Sequence, residues 1–232
     1  MSVPAHSLES VTHLQEEGLL VALNAPESMA AEQYRVLLNR LDRVCAERLL
    51  RTIAITSCAR GEGRSLTAAN LALTAAREGR EVVLVECDLK RPSLTHLFDL
   101  APRAGLAELA EGKAELPQAL SRVGNLAVLC AGEGRDPSAV MSSPRFATVL
   151  DTLRASFSLL VLDAPPALAL SDTGRLATAA DGIVLVVRVG ETPRDAVRMA
   201  VEALSHRLIG IVLNCAEQPS YSRYLRHESV GA

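Results

Sequence analysis

Residues 52 to 77 limit the fold most. A short run of β-branched and small residues, TIAIT, leads into SCARGEGRS and then into a helical Ala- and Leu-rich stretch from Ser65 to Arg77. A glycine-rich turn between a buried strand and a helix is the setting of a phosphate loop, where backbone N–H groups and the positive helix end converge on phosphate oxygens. Gly61 and Gly63 give that backbone its freedom, and Ser65 stands at the hydroxyl position that such loops offer to magnesium. Two positions depart from the pattern: Cys58 replaces the first glycine, and Arg64 replaces the lysine. A planar guanidinium is wider than an ammonium and cannot act as a point charge in the same place. Arg64 is therefore expected to weaken nucleotide binding or change its pose.

Further runs have the brevity and branching of buried parallel strands: 81–85, 126–129, 159–162, 182–187 and 209–213, with helical stretches between them. Strands alternating with helices imply right-handed crossovers and a doubly wound, mostly parallel α/β sheet with helices on both faces. Ligands of such sheets sit at the carboxyl ends of the strands. A helix is expected from Ser28, with Tyr34, Leu37, Leu38, Leu41 and Cys45 on its apolar face. Residues 1–27 contain Pro4, Gly18 and Pro26 and read as an arm or linker. Residues 28–218 then form one domain, and 219–232 a tail.

The run ending in VVLVECDLKRP places Glu86 and Asp88 at a strand end, one residue apart. Alternation would point both carboxylates the same way, toward magnesium or a hydroxyl to be deprotonated. Four apolar residues followed by Asp163 resemble a Walker B strand, whose carboxylate holds magnesium, and Pro165 and Pro166 stop that strand.

Composition excludes several functions. A net charge of −3 with no basic run gives no electrostatic reason for a nucleic-acid partner. Five scattered cysteines without a C-x-x-C pair offer no zinc or redox motif and read as buried thiols of a reducing cytoplasm. No segment reaches the roughly 18 to 20 apolar residues of a membrane span. Two lysines stand against twenty-two arginines, so arginine at position 64 fits a general preference of the chain.

Eight motifs in order, GEGRS, NLA, ECDLKRP, GLAELAEG, AGEGRDPS, DAPP, ADGIVLVVR and GIVLN, resemble the cytoplasmic domain of bacterial tyrosine kinases of capsule and exopolysaccharide systems. That family lies within the MinD-like P-loop ATPases. The resemblance covers residues 27 to 224. It implies ATP or ADP bound by Gly61, Glu62, Gly63, Arg64, Ser65 and Leu66, and Mg2+ held by Ser65, Asp88 and Asp163. Asp88, with Glu86 and Arg64 beside it, falls on the catalytic positions as the base for a tyrosine hydroxyl. It also implies phosphorylation of the tail tyrosines Tyr221 and Tyr224, and a subunit contact through Glu32 and Arg35 whose third position here is Leu38. Glu86 replaces an aspartate and is longer by one methylene; a displacement of about 1 Å at a reacting centre can cost on the order of 100-fold. The implied partners are a membrane polysaccharide co-polymerase of the chain-length type, as activator or dock, and further copies or a related kinase. The chain would then lie in the cytoplasm at the inner membrane face.

Three functions follow from these residues: a degenerate kinase that regulates the co-polymerase, an active protein-tyrosine autokinase, or a MinD-like positioning ATPase. Lys90 and Arg91 are candidates to hold phosphate or a neighbouring tail, and His96 reads as an ordinary packed or solvent-facing side chain.

Overall fold

The structure, a computed structural model, describes residues 11–12, 18–48, 50–133, 136–168 and 179–216. Its strands are β1 (Val11–Thr12), β2 (Thr52–Ser57), β3 (Val82–Glu86), β4 (Leu120–Val123), β5 (Leu126–Leu129), β6 (Leu159–Asp163), β7 (Gly182–Arg188) and β8 (Leu208–Asn214). They form one sheet in the order β1-β8-β7-β2-β6-β3-β5-β4, in which only the β4–β5 pairing is antiparallel. The principal helices are α1 (Val21–Asn24), α2 (Met29–Arg48), α3 (Arg64–Arg77), α4 (Leu94–Leu97), α5 (Leu106–Glu111), α6 (Leu116–Ala119), α7 (Pro137–Ser142), α8 (Pro144–Ser156) and α9 (Arg194–Leu204).

Two-residue alternation explains why the central strands are apolar throughout. In β3, Val82 and Leu84 enter the layer shared with α2 and α3, while Val83 and Val85 enter the layer shared with α5 and α8. In β6, Leu159 and Val161 face the first layer, and Leu160 and Leu162 the second. A strand covered on both faces cannot alternate with polar residues. Each Leu or Ile so buried contributes about 2 kcal/mol. Strands β1 and β4 escaped the sequence reading because β1 has two residues and β4 (LSRV) is a partly exposed edge.

The boundary drawn at residue 27 does not match the packing. Leu20, Val21 and Ala22 are buried in the α2/α3 layer. Asn70 on α3 accepts the Ala22 N–H at 2.9 Å and donates to the Leu19 carbonyl at 3.0 Å. The chain then turns into α2, whose start is capped by Ser28 Oγ accepting the Ala31 N–H. Tyr34, Leu37, Leu38 and Leu41 form the buried face as expected; the side chain of Cys45 lies outside the described residues.

Candidate phosphate site

The strand order places β6 between β2, which carries the loop, and β3, which carries the acidic pair. Asp163 is registered opposite Ile55 on one side and Glu86 on the other. Residues distant in sequence therefore meet at one edge: Gly61 to Ser65 after β2, Asp88 after β3 and Asp163 ending β6.

The loop is braced by its own residues and by the far strands. Gly61 and Gly63 have φ of +81° and +85°, which side-chain-bearing residues rarely adopt. A methyl group on Gly63 would meet Asn214 Nδ2 at 2.0 Å. That amide donates to the Glu62 carbonyl at 2.9 Å. The Glu62 carboxylate turns inward, accepting the Cys58 N–H at 2.8 Å and the Thr192 hydroxyl at 2.6 Å. Arg188 donates to the Gly61 carbonyl at 3.2 Å. Sequence reasoning missed Asn214, Thr192 and Arg188 as supports of the loop; their signal was position at or just beyond the carboxyl ends of β7 and β8, with Arg188 and Asn214 closing the motifs ADGIVLVVR and GIVLN. Cys58, at the first-glycine position, is buried, and burial followed by the Glu62 charge pushes its thiol up to about 11, so it is unreactive.

Arg64 opens α3 and folds back. Its Nε donates to Asp163 Oδ1 at 2.8 Å, its Nη2 to Asp88 Oδ2 at 3.0 Å, and the same Nη2 lies 3.4 Å from Ser65 Oγ. All three groups expected to hold magnesium thus face one guanidinium. The ion pairs are buried, with side-chain exposures of 10% for Arg64, 6% for Asp88 and 1% for Asp163. Burial would lower the pKa of Arg64, but the charges of Asp163 and Asp88 outweigh it and hold it above its ordinary value. Burial also pushes the Asp163 carboxyl up, against the pull of Arg64. Both shifts describe an ionic pair, because arginine keeps its proton. The upward drift of Asp163 fits its Oδ2, which is buried and has no hydrogen-bond partner.

The two carboxylates after β3 do not act together. Glu86 is wholly buried and is spent on backbone: Oε1 accepts the N–H groups of Ser93 and Leu94, and Oε2 accepts that of Ala131 at 3.0 Å. Its extra methylene lets it join the 88–94 turn to the end of β5, away from Arg64. Asp88 receives Arg64 and, at 3.3 Å, the N–H of Arg91. Glu32 and Arg35 pair with each other at 2.6 Å, and Arg35 also donates to the Pro26 carbonyl. Leu38, at the third position of that motif, is 1% exposed in the core. Lys90 and Arg91 are at the surface or its margin, with Arg91 lining the cleft, while His96 stands on α4. Tyr221 and Tyr224 lie outside the described residues.

The cleft, about 300 Å³, is lined by Ser57, Arg60, Gly63, Arg64, Asp88 and Arg91, among others. Its loop fits phosphate oxygens: two glycines with positive φ lead into the N-terminus of a fourteen-residue helix, the setting in which backbone N–H groups and the helix dipole favour phosphate. A divalent cation fits less well, because both carboxylates that would hold it already bind Arg64.

Comparison with known proteins agrees with this arrangement. The ParA family, described as NUBPL iron-transfer P-loop NTPase, matches residues 48–222. The tyrosine-protein kinase YwqD of Bacillus subtilis is 32% identical over 211 residues, spanning 88% of this chain and 89% of YwqD. The chain belongs to the bacterial tyrosine-kinase family of ParA-like P-loop NTPases. The succinoglycan biosynthesis transport protein ExoP of Rhizobium meliloti is 30% identical over 88% of this chain, which spans only 27% of ExoP. The crystal structure of the chimerical protein CapA2B2 superposes with a TM-score of 0.84 at 26% identity, covering 90% of this chain and 94% of that one. The doubly wound sheet expected from the sequence is that of this family. Among the described residues, no helix is long and apolar enough to cross a membrane.

Proposed function

We propose that this member of the tyrosine-kinase family is a nucleotide-binding docking component of an exopolysaccharide or capsule system, with phosphotransfer curtailed, and that it regulates a membrane polysaccharide co-polymerase. The observation that carries this reading is Arg64 forked between Asp163 and Asp88. The phosphate-cradling backbone is formed and braced, so nucleotide has a seat. The cation that would meet the phosphate is instead held by two carboxylates, and Asp88 Oδ2 is closed to the proton of an incoming hydroxyl. The system is suggested by the name of ExoP, a succinoglycan biosynthesis transport protein. The inner membrane face, reached through the co-polymerase, is the corresponding location.

An active autokinase is the second reading, favoured by the retention of Ser65, Asp88 and Asp163 around one cleft. The two separate by labelling. Purified protein is incubated with ATP and Mg2+ and blotted for phosphotyrosine beside Arg64→Lys and Asp88→Asn. Curtailed transfer gives no signal in the native chain and a gain in Arg64→Lys. Phosphate on Tyr221 or Tyr224 of the native chain, lost in Asp88→Asn, would establish the autokinase instead.

A further inference from the structure

We infer that Arg64 is a resident cation standing in for the divalent metal of this site, so that the loop binds a nucleoside triphosphate without magnesium and magnesium weakens that binding. The inference rests on the nucleotide reading above and concerns its metal requirement. Ser65 Oγ, Asp88 Oδ2 and Asp163 Oδ1 are the three groups a phosphate-loop metal would use, and the guanidinium reaches all three from one position. A planar fork sets two N–H donors on two carboxylates at once in a fixed geometry, which the freely rotating, strongly hydrated ammonium of a lysine does not pre-organise.

A metal entering here would have to displace Arg64 from both carboxylates and leave that charge beside a dication. Magnesium in phosphate sites is held by one or two carboxylates beside waters and substrate phosphates, and here both carboxylates are already engaged by Arg64, with Asp163 Oδ2 the buried oxygen left without a hydrogen bond. The cleft supplies positive charge by other means. Arg60, Arg64 and Arg91 line it against the one carboxylate of Asp88, and the N-terminus of α3 opens into it. An uncomplexed polyphosphate meets that lining directly, while its magnesium complex brings a cation into a place already taken.

The test is calorimetric titration of the full chain with ATP, once in EDTA and once in excess Mg2+, with Arg64→Lys measured beside it. Native protein is expected to bind more tightly in EDTA than in Mg2+, and Arg64→Lys to lose about tenfold or more in affinity when the metal is removed. Native binding as tight or tighter in Mg2+ overturns the inference while leaving the nucleotide reading intact. Binding in neither medium overturns both. Metal-independent binding by Arg64→Lys also overturns it, because the cause would then lie elsewhere. Should that variant fail to fold, the two native titrations still decide.

Discussion

Replacing Arg64 by alanine removes the one cation between two buried carboxylates. Asp163 is fully buried and Asp88 nearly so, so neither can recover its lost partner from solvent. Breaking a buried pair by deleting one partner costs about 3–5 kcal/mol, because an uncompensated charge stays behind. In a chain of this length each kcal/mol moves Tm by about 2–4 °C, so Arg64→Ala should melt roughly 6–20 °C below the native protein near neutral pH. The pH dependence has a definite sign. Asp163 titrates above its unfolded value, chiefly through burial. A carboxyl of that kind contributes stability that is full below its unfolded pKa and is lost as pH rises through its folded pKa. Removing Arg64 removes the main influence holding that pKa down, so the penalty of the variant must grow with pH. Thermal melts followed by circular dichroism should show the gap between variant and native protein narrowing as pH falls from about 8 to about 5. A variant as stable as the native chain at pH 8, or a gap independent of pH, would mean that the guanidinium does not lie between these carboxylates.

Three other substitutions probe the supports of the site. Glu86→Gln sets an amide NH2 against backbone donors that now meet carboxylate oxygens, and an unsatisfied buried group costs about 1–3 kcal/mol; urea unfolding should show at least that loss, and an unchanged midpoint would exclude the turn-joining role of Glu86. Gly63→Ala should abolish nucleotide binding by displacing Asn214, whereas Gly61→Ala, which meets open space, should show only the strain of its positive φ, about 1 kcal/mol; equal effects on ATP titration would refute the distinction.

The six buried strands, their order along the chain and the loop were legible because each is written locally, in branched apolar runs and in Gly61 and Gly63. Asp163 was legible for the same reason, as the residue after four apolar ones. The pairing of Arg64 was not: its partners lie 24 and 99 residues away, and only the insertion of β6 between β2 and β3 brings them together. Residue type alone indicated that a guanidinium would not behave as a lysine, without indicating where it would go. Glu86 misled because alternation holds only while the strand lasts. The strand ends at Glu86, the backbone turns at Asp88, and a side chain one methylene longer reaches the N–H groups of Ser93, Leu94 and Ala131. The docking of residues 18–27 was hidden because its anchor is Asn70, an isolated polar residue on α3 whose two hydrogen bonds to that segment span about fifty positions.

The position of one guanidinium decides whether the carboxylates are open to metal. An arginine-selective nitrogen NMR spectrum of the nucleotide-free protein, assigned through Arg64→Lys, observes that group directly. The Nε–H of Arg64 should resonate apart from the exposed arginines, exchange slowly with solvent, and lose both properties in Asp163→Ala. An Arg64 signal that exchanges as fast as those of surface arginines, unaltered by Asp163→Ala, would place the side chain in solvent and leave the carboxylates open to metal.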